Sequence, residues 1–166
     1  MASRFSLTSH VKAFGIGIVL AVVAIAAYVQ FGTSGQDANA ALPPMTVYKS
    51  PTCQCCAEWI DYLRDEGFEV EASDVADMQQ IKGQFNIPRE LTSCHTGVIG
   101  GYVVEGHVPA EDIKRMLREK PDVAGITVPG MPVGSPGMEQ GSRRDPYNVL
   151  TFTQQGDANI YARYNQ

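Results

Sequence analysis

Basic charge is in short supply in this sequence: 13 lysines and arginines stand against 18 aspartates and glutamates over 166 residues. A nucleic-acid-binding surface needs a basic face to neutralise phosphates, so that class of partner is excluded. No internal repeat is evident, which sets aside solenoid and propeller architectures. Cysteine is sparse too. There are four, and three of them crowd into Cys53-Gln54-Cys55-Cys56. A framework of structural disulfides spreads its cysteines along the chain, and neighbours such as Cys55 and Cys56 are bridged only with strain. A stapled interaction module with inert disulfides therefore stands behind readings in which the thiols do chemistry.

Charge is absent altogether from Ala13 to Val29, a run of about 17 mostly apolar residues near the lower limit for a membrane span. Arg4 and Lys12 precede the run, and Ala38-Asn39-Ala40 follows it. A positive end, an apolar core and small residues at alternate positions are the order of an export signal. Residues 1–40 are thus expected to be a signal peptide or an N-terminal membrane anchor, with membrane contact only through this segment. Either way the remainder lies outside the cytoplasm. That leader takes two bases (Arg4, Lys12) and one acid (Asp37), leaving 11 bases and 17 acids in residues 41–166, a net of −6. The remaining length suits one domain with a modest core.

Periodicity orders this domain. Met45–Ser50 reads as a strand, punctuated by Ser50-Pro51-Thr52. A helix follows, with Cys56, Trp59, Ile60 and Leu63 at the i, i+3, i+4, i+7 spacing of one face and Gly67 as its stop. Phe68–Val75 reads as a second strand. Ala76–Asn86 reads as a helix presenting Met78, Ile81 and Phe85. Val98–Ile99, the Gly100-Gly101 turn and Tyr102–Glu105 make adjoining strands. Pro109 opens a helix that carries Glu111 and Asp112 early and Arg118 and Lys120 late, in accord with the helix dipole. Residues 125–141, rich in Gly and Pro, are expected to be a loop or flap, and residues 147–164 a terminal hairpin across Gln155-Gly156-Asp157. The predicted class is α/β: a thioredoxin-like mixed sheet flanked by helices, with an added C-terminal β-hairpin, because a Cys-x-x-Cys opens the first helix of a strand–helix–strand–helix–strand–strand–helix order.

The chemistry concentrates in the cysteines. Cys53 and Cys56 form the Cys-x-x-Cys and Cys55 adds a third thiol between them. At a helix N-terminus the first backbone N–H groups lack intrahelical partners and the dipole favours anions, so thiolates form there below the ordinary pKa of about 8.5. A thiolate is both the nucleophile of disulfide exchange and a soft-metal ligand. Cys94-His95-Thr96 discriminates between these uses. In a thioredoxin-like fold this loop passes the start of the first helix, bringing Cys94, and with it His95, to the other three. Four converging thiols select copper(I), zinc or an iron–sulfur cluster over hard cations. Zinc sites of four cysteines generally show two separated Cys-x-x-Cys knuckles, which leaves copper(I), singly or as several ions, the favoured cargo. Met131 and Met138 could add thioethers from the Gly/Pro loop. His107, Trp59 and the tyrosines are read as structural. The competing function is a thiol–disulfide oxidoreductase in which Cys53 attacks and Cys56 resolves; it makes Cys55 and Cys94 dispensable, and the Cys94-His95-Thr96 loop lacks the proline that helps substrate docking in such enzymes.

Several stretches, in order, carry a resemblance that spans Thr46 to Glu139. They are Tyr48-Lys49-Ser50-Pro51-Thr52-Cys53-Gln54-Cys55-Cys56, Ser93-Cys94-His95-Thr96, the run from Gly100-Gly101-Tyr102 through Gly106-His107-Val108-Pro109 to Ile113, and Val128-Pro129-Gly130-Met131-Pro132-Val133-Gly134-Ser135-Pro136-Gly137-Met138-Glu139. In these the chain resembles the CopG-like family of periplasmic copper-resistance proteins. The resemblance implies a thioredoxin-like fold, copper bound by cysteines standing where Cys53, Cys55, Cys56 and Cys94 stand, and a part in copper resistance through redox handling of the metal. Gln54 departs from the glycine commonly found there, which removes no ligand. Expected partners are copper ions and other periplasmic copper-handling proteins.

Overall fold

The computed structural model describes residues 41–166. The expected leader, residues 1–40, lies outside the described residues. Seven strands form one mixed sheet: β1 (Met45–Lys49), β2 (Val70–Asp74), β3 (Thr96–Ile99), β4 (Tyr102–Glu105), β5 (Gly125–Thr127), β6 (Tyr147–Phe152) and β7 (Ala158–Tyr164). Their spatial order is β2-β1-β3-β4-β5-β6-β7. The β1–β2 and β4–β5 pairs are parallel, and the other neighbouring pairs are antiparallel. Three α-helices accompany the sheet: α1 (Gln54–Asp65), α2 (Met78–Gln84) and α3 (Ala110–Glu119). The mixed α/β class and the terminal hairpin, β6 with β7, are as expected. Among the described residues no helix is long and apolar enough to cross a membrane.

The α1 face forms as its spacing predicts. Cys56, Trp59, Ile60 and Leu63 are its buried residues, and the last three join Met45, Val47, Ile99, Val104, Ile113 and Ile126 in the main core. Burying an aliphatic side chain of this size stabilises by about 1.5–3 kcal/mol. Trp59 also satisfies its indole N–H on the Val108 carbonyl at 2.9 Å, which fixes the depth of α1 against the segment before α3. Gly100 and Gly101 turn between β3 and β4 with φ of +56° and +88°, the left-handed backbone that a two-residue hairpin needs. That turn pairs Thr96 with Glu105 and Gly97 with Val104.

The α2 face forms as read, with Met78, Ile81 and Phe85 half-buried and the intervening Gln79, Gln80, Gly83 and Gln84 exposed; the residue of that face that is fully buried is Lys82. Its ammonium lies 2.5 Å from Glu105 Oε1 and 3.2 Å from Thr96 Oγ1, so a long-range ion pair lets a lysine sit on the inward face. One expectation fails. The stretch 125–141 is not loop throughout: Gly125–Thr127 is β5, wholly buried between β4 and β6. A side chain at Gly125 would strike the Val103 backbone carbonyl, so the glycine that suggested a loop is what lets β5 approach β4.

Candidate metal centre

Cys53 occupies the N-cap of α1 in extended backbone, and Gln54, Cys55 and Cys56 begin the helix. Three sulfurs therefore sit on its first turn, where unpaired N–H groups favour thiolate. Cys53 and Cys56 are joined as a disulfide, while Cys55 and Cys94 are free and half-buried. Cys53 Sγ lies 3.6 Å from Cys55 Sγ. The fourth sulfur arrives from the loop before β3: the ligand atoms of Cys53, Cys55, Cys56 and Cys94 all lie within 4.8 Å of one another. The convergence expected from the sequence is present.

A charged network anchors the loop that carries Cys94. Glu105, at the end of β4, accepts the Ser93 backbone N–H at 2.6 Å, the Thr96 hydroxyl at 2.6 Å and the Lys82 ammonium. Its side chain is 0% exposed and that of Lys82 5%. Residues 93 and 96 bracket Cys94 and His95, so this carboxylate clamps the site from beneath. Removing one member of a buried pair of this kind costs about 3–5 kcal/mol, because its partner is left charged and dry. From the other side Ser93 Oγ donates to the Gly130 carbonyl and Gly130 N–H to the Thr92 carbonyl, tying residues 92–93 to the Gly/Pro loop.

His95 and His107 are both fully buried. His95 Nε2 faces the Gly106 carbonyl at 3.1 Å, and a carbonyl only accepts, so this nitrogen carries the proton. His95 Nδ1 is thereby left with its lone pair towards Cys94 Sγ at 3.2 Å. His107 uses its nitrogens the other way round. Its Nδ1–H donates to the Pro136 carbonyl at 2.8 Å, and Nε2 faces the same sulfur at 3.2 Å. Burial, and then the neighbouring His107 and Lys82, hold His95 well below the ordinary imidazole pKa. Burial also lowers His107, against the opposing pull of the Pro136 carbonyl. Both rings are therefore neutral and free to coordinate. Burial, with Cys55 beside it, pushes the Cys94 thiol up to about 12.

His107, read from the sequence as structural, thus stands in the site. His95 packs against Trp59 with ring centroids 4.3 Å apart and planes tilted by 35°, so Trp59 is core packing and also a wall of the site. Met131 is exposed. Met138 is half-buried and adjoins Gly137, where a side chain would meet Trp59 N at 2.7 Å and the Cys55 carbonyl at 3.0 Å. The Gly/Pro loop therefore lies directly on the first turn of α1.

A family model described as a protein of unknown function, DUF411, matches residues 91–138, the stretch holding Cys94, His95, His107, Met131 and Met138. No curated protein matches. Two solved structures do. "Copper resistance protein copG- Form 1" is 47% identical, with a TM-score of 0.71 over 75% of this chain and 99% of its own. "Copper resistance protein copG- Form 2" is 48% identical, with a TM-score of 0.71 over 74% of this chain and 98% of its own. Nearly half of the aligned residues are shared along almost the whole of each relative, and on that ground the chain belongs to the CopG family of copper resistance proteins.

Proposed function

We propose that this is an exported, periplasmic protein of thioredoxin-like fold that binds copper(I) through Cys53, Cys55, Cys56 and Cys94. The observation that carries the reading is the convergence of four sulfurs from two segments 38 residues apart, Cys56 to Cys94, within 4.8 Å of one another. Soft thiolates in that number prefer copper(I) to hard cations. Sulfurs this close can bridge neighbouring ions, so the site is suited to more than one copper. His95 and His107 add imidazole nitrogens, and Met131 and Met138 are further thioether donors on the covering loop. In copper resistance such a site sequesters the metal, taking it from and passing it to other periplasmic copper-handling proteins.

The Cys53–Cys56 disulfide favours a redox role for the same pair. Oxidation of the two thiols to the disulfide releases two electrons and two protons. Two copper(II) ions take up those electrons and become copper(I), which the remaining donors retain. A plain thiol–disulfide oxidoreductase would use the same pair with no metal.

Anaerobic titration of the reduced full chain with copper(I) against a competing chelator separates these readings when repeated on Cys55→Ser. The expected outcome is a reduced copper capacity in the variant, because Cys55 lies between the disulfide pair and Cys94. Unchanged copper binding together with full insulin-reducing activity in Cys55→Ser would favour the oxidoreductase instead.

A further inference from the structure

The disulfide occupies two of the four sulfurs, yet it leaves untouched the second group that shares Cys94. Cys94 Sγ, one nitrogen of His95 and one of His107 lie within 4.8 Å of one another, independently of Cys53 and Cys56. We propose that Cys94, His95 and His107 form a copper(I) position of their own, which holds one ion while Cys53 and Cys56 are disulfide-bonded. This rests on the copper reading above and extends it to the oxidised protein.

Hydrogen-bond accounting supports the position. Each imidazole spends its one N–H on a backbone carbonyl, Gly106 O for His95 and Pro136 O for His107. The remaining lone pairs both aim at one sulfur, at 3.2 Å each. A thiol has one proton and can satisfy only one of those two acceptors. Replacing that proton with a metal ion satisfies both nitrogens and the sulfur together. A histidine whose second nitrogen donates to a carbonyl is also the usual state of a metal ligand, because that bond fixes the tautomer and the ring direction.

The arrangement is built rather than incidental. The two rings meet edge to face, with centroids 4.9 Å apart and planes at 78°. Trp59 packs against the His95 ring and the Pro136 carbonyl holds His107. Gly106, with φ of +74°, admits no side chain: a Cβ there would sit 2.5 Å from Ser93 Cβ and 2.6 Å from the Val128 carbonyl. That close packing brings the His107 segment up to the Cys94 loop. Charge selects the ion. One thiolate and two neutral imidazoles balance a monovalent cation, whereas a divalent one would leave a buried positive charge without compensation. Two histidines and one cysteine are also a ligand set that copper accepts in trigonal geometry.

The test uses the full chain with its disulfide intact and two free thiols, titrated anaerobically with copper(I) against a chelator. Imidazole nitrogen resonances are followed with 15N labelling. One equivalent should bind, and His95 Nδ1 and His107 Nε2 should shift while His95 Nε2 and His107 Nδ1 remain protonated. His107→Gln should weaken this binding by at least about tenfold, the lower end of the loss seen when even an outer partner of a ligand is removed. Copper uptake with unmoved imidazole resonances would assign the ion to Cys55 and Cys94 and overturn the proposal. If the reduced chain binds copper and the disulfide form does not, the histidine position is refuted while the four-cysteine site stands. If neither form binds, both readings fail. The nitrogen shifts are read on the unaltered protein, so a variant that folds poorly leaves the answer intact.

Discussion

Replacing Cys94 by serine is expected to cause the largest loss of copper(I) binding of any single substitution. This sulfur belongs to both donor groups, the four cysteines and the Cys94–His95–His107 set. Loss of an outer hydrogen-bond partner of a ligand typically weakens a metal site by about 10–100-fold, so loss of the shared ligand should exceed about 100-fold. The fold should survive the change. Cys94 is half-buried, its Ser93 and Thr96 neighbours keep their bonds to Glu105, and serine is the smaller side chain. A chelator competition assay checks the affinity, and thermal unfolding of the metal-free protein checks the fold. A loss of less than about tenfold would mean that Cys94 is a bystander, since even an outer-shell change commonly does that much.

Acidity should matter almost as much. Burial and the nearby Cys55 push the Cys94 thiol up to about 12, so the metal-free site carries this proton throughout the physiological range. A copper ion must expel it. The direction follows: affinity rises with pH, and the dependence on this group persists until about pH 12, where the metal-free thiol ionises without help. Each proton displaced changes the binding constant about tenfold per pH unit, so Cys94 alone contributes about 100-fold between pH 6 and pH 8. The histidines do not oppose this trend. Burial lowers both from the ordinary imidazole range, and a proton on either ring would compete with the metal in the same sense as the Cys94 proton. Affinity measured at three or four pH values checks the slope. A flat profile would show that Cys94 binds no metal or enters the site already ionised.

Much of this site is written locally in the chain. The Cys-x-Cys-Cys run needs only the helical spacing of Cys56, Trp59, Ile60 and Leu63 to be placed on the first turn of α1, and that face forms as the spacing predicts. Cys94 follows from the element order, because a strand laid antiparallel to β1 starts beside the end where α1 begins. His107 was also within reach of the sequence, by a route that periodicity does not supply. The two-residue Gly100-Gly101 turn fixes the β3–β4 register, pairing Thr96 with Glu105. Continuing that register past the strand ends sets position 95 opposite 106 and position 94 opposite 107. Counting outwards from the turn therefore finds the second histidine, whereas its flanking Gly106 and Pro109 suggest only a bend.

Lys82 was not legible in this way. A lysine within a helical pattern reads as solvated, and what lets it be buried on the face of Met78, Ile81 and Phe85 is a carboxylate 23 residues away on β4. Nor was β5: three residues opening with a glycine carry no strand signal of their own. Gly125 is there because the Val103 backbone leaves no room for a side chain, a fact of tertiary contact rather than local preference.

The four-sulfur pocket is tested most directly by X-ray absorption at the copper edge on the reduced, copper(I)-loaded full chain. We expect a first shell dominated by sulfur that loses sulfur scattering in Cys94→Ser. A shell of nitrogen and oxygen alone, or a sulfur shell that the Cys94→Ser substitution leaves unchanged, would contradict it.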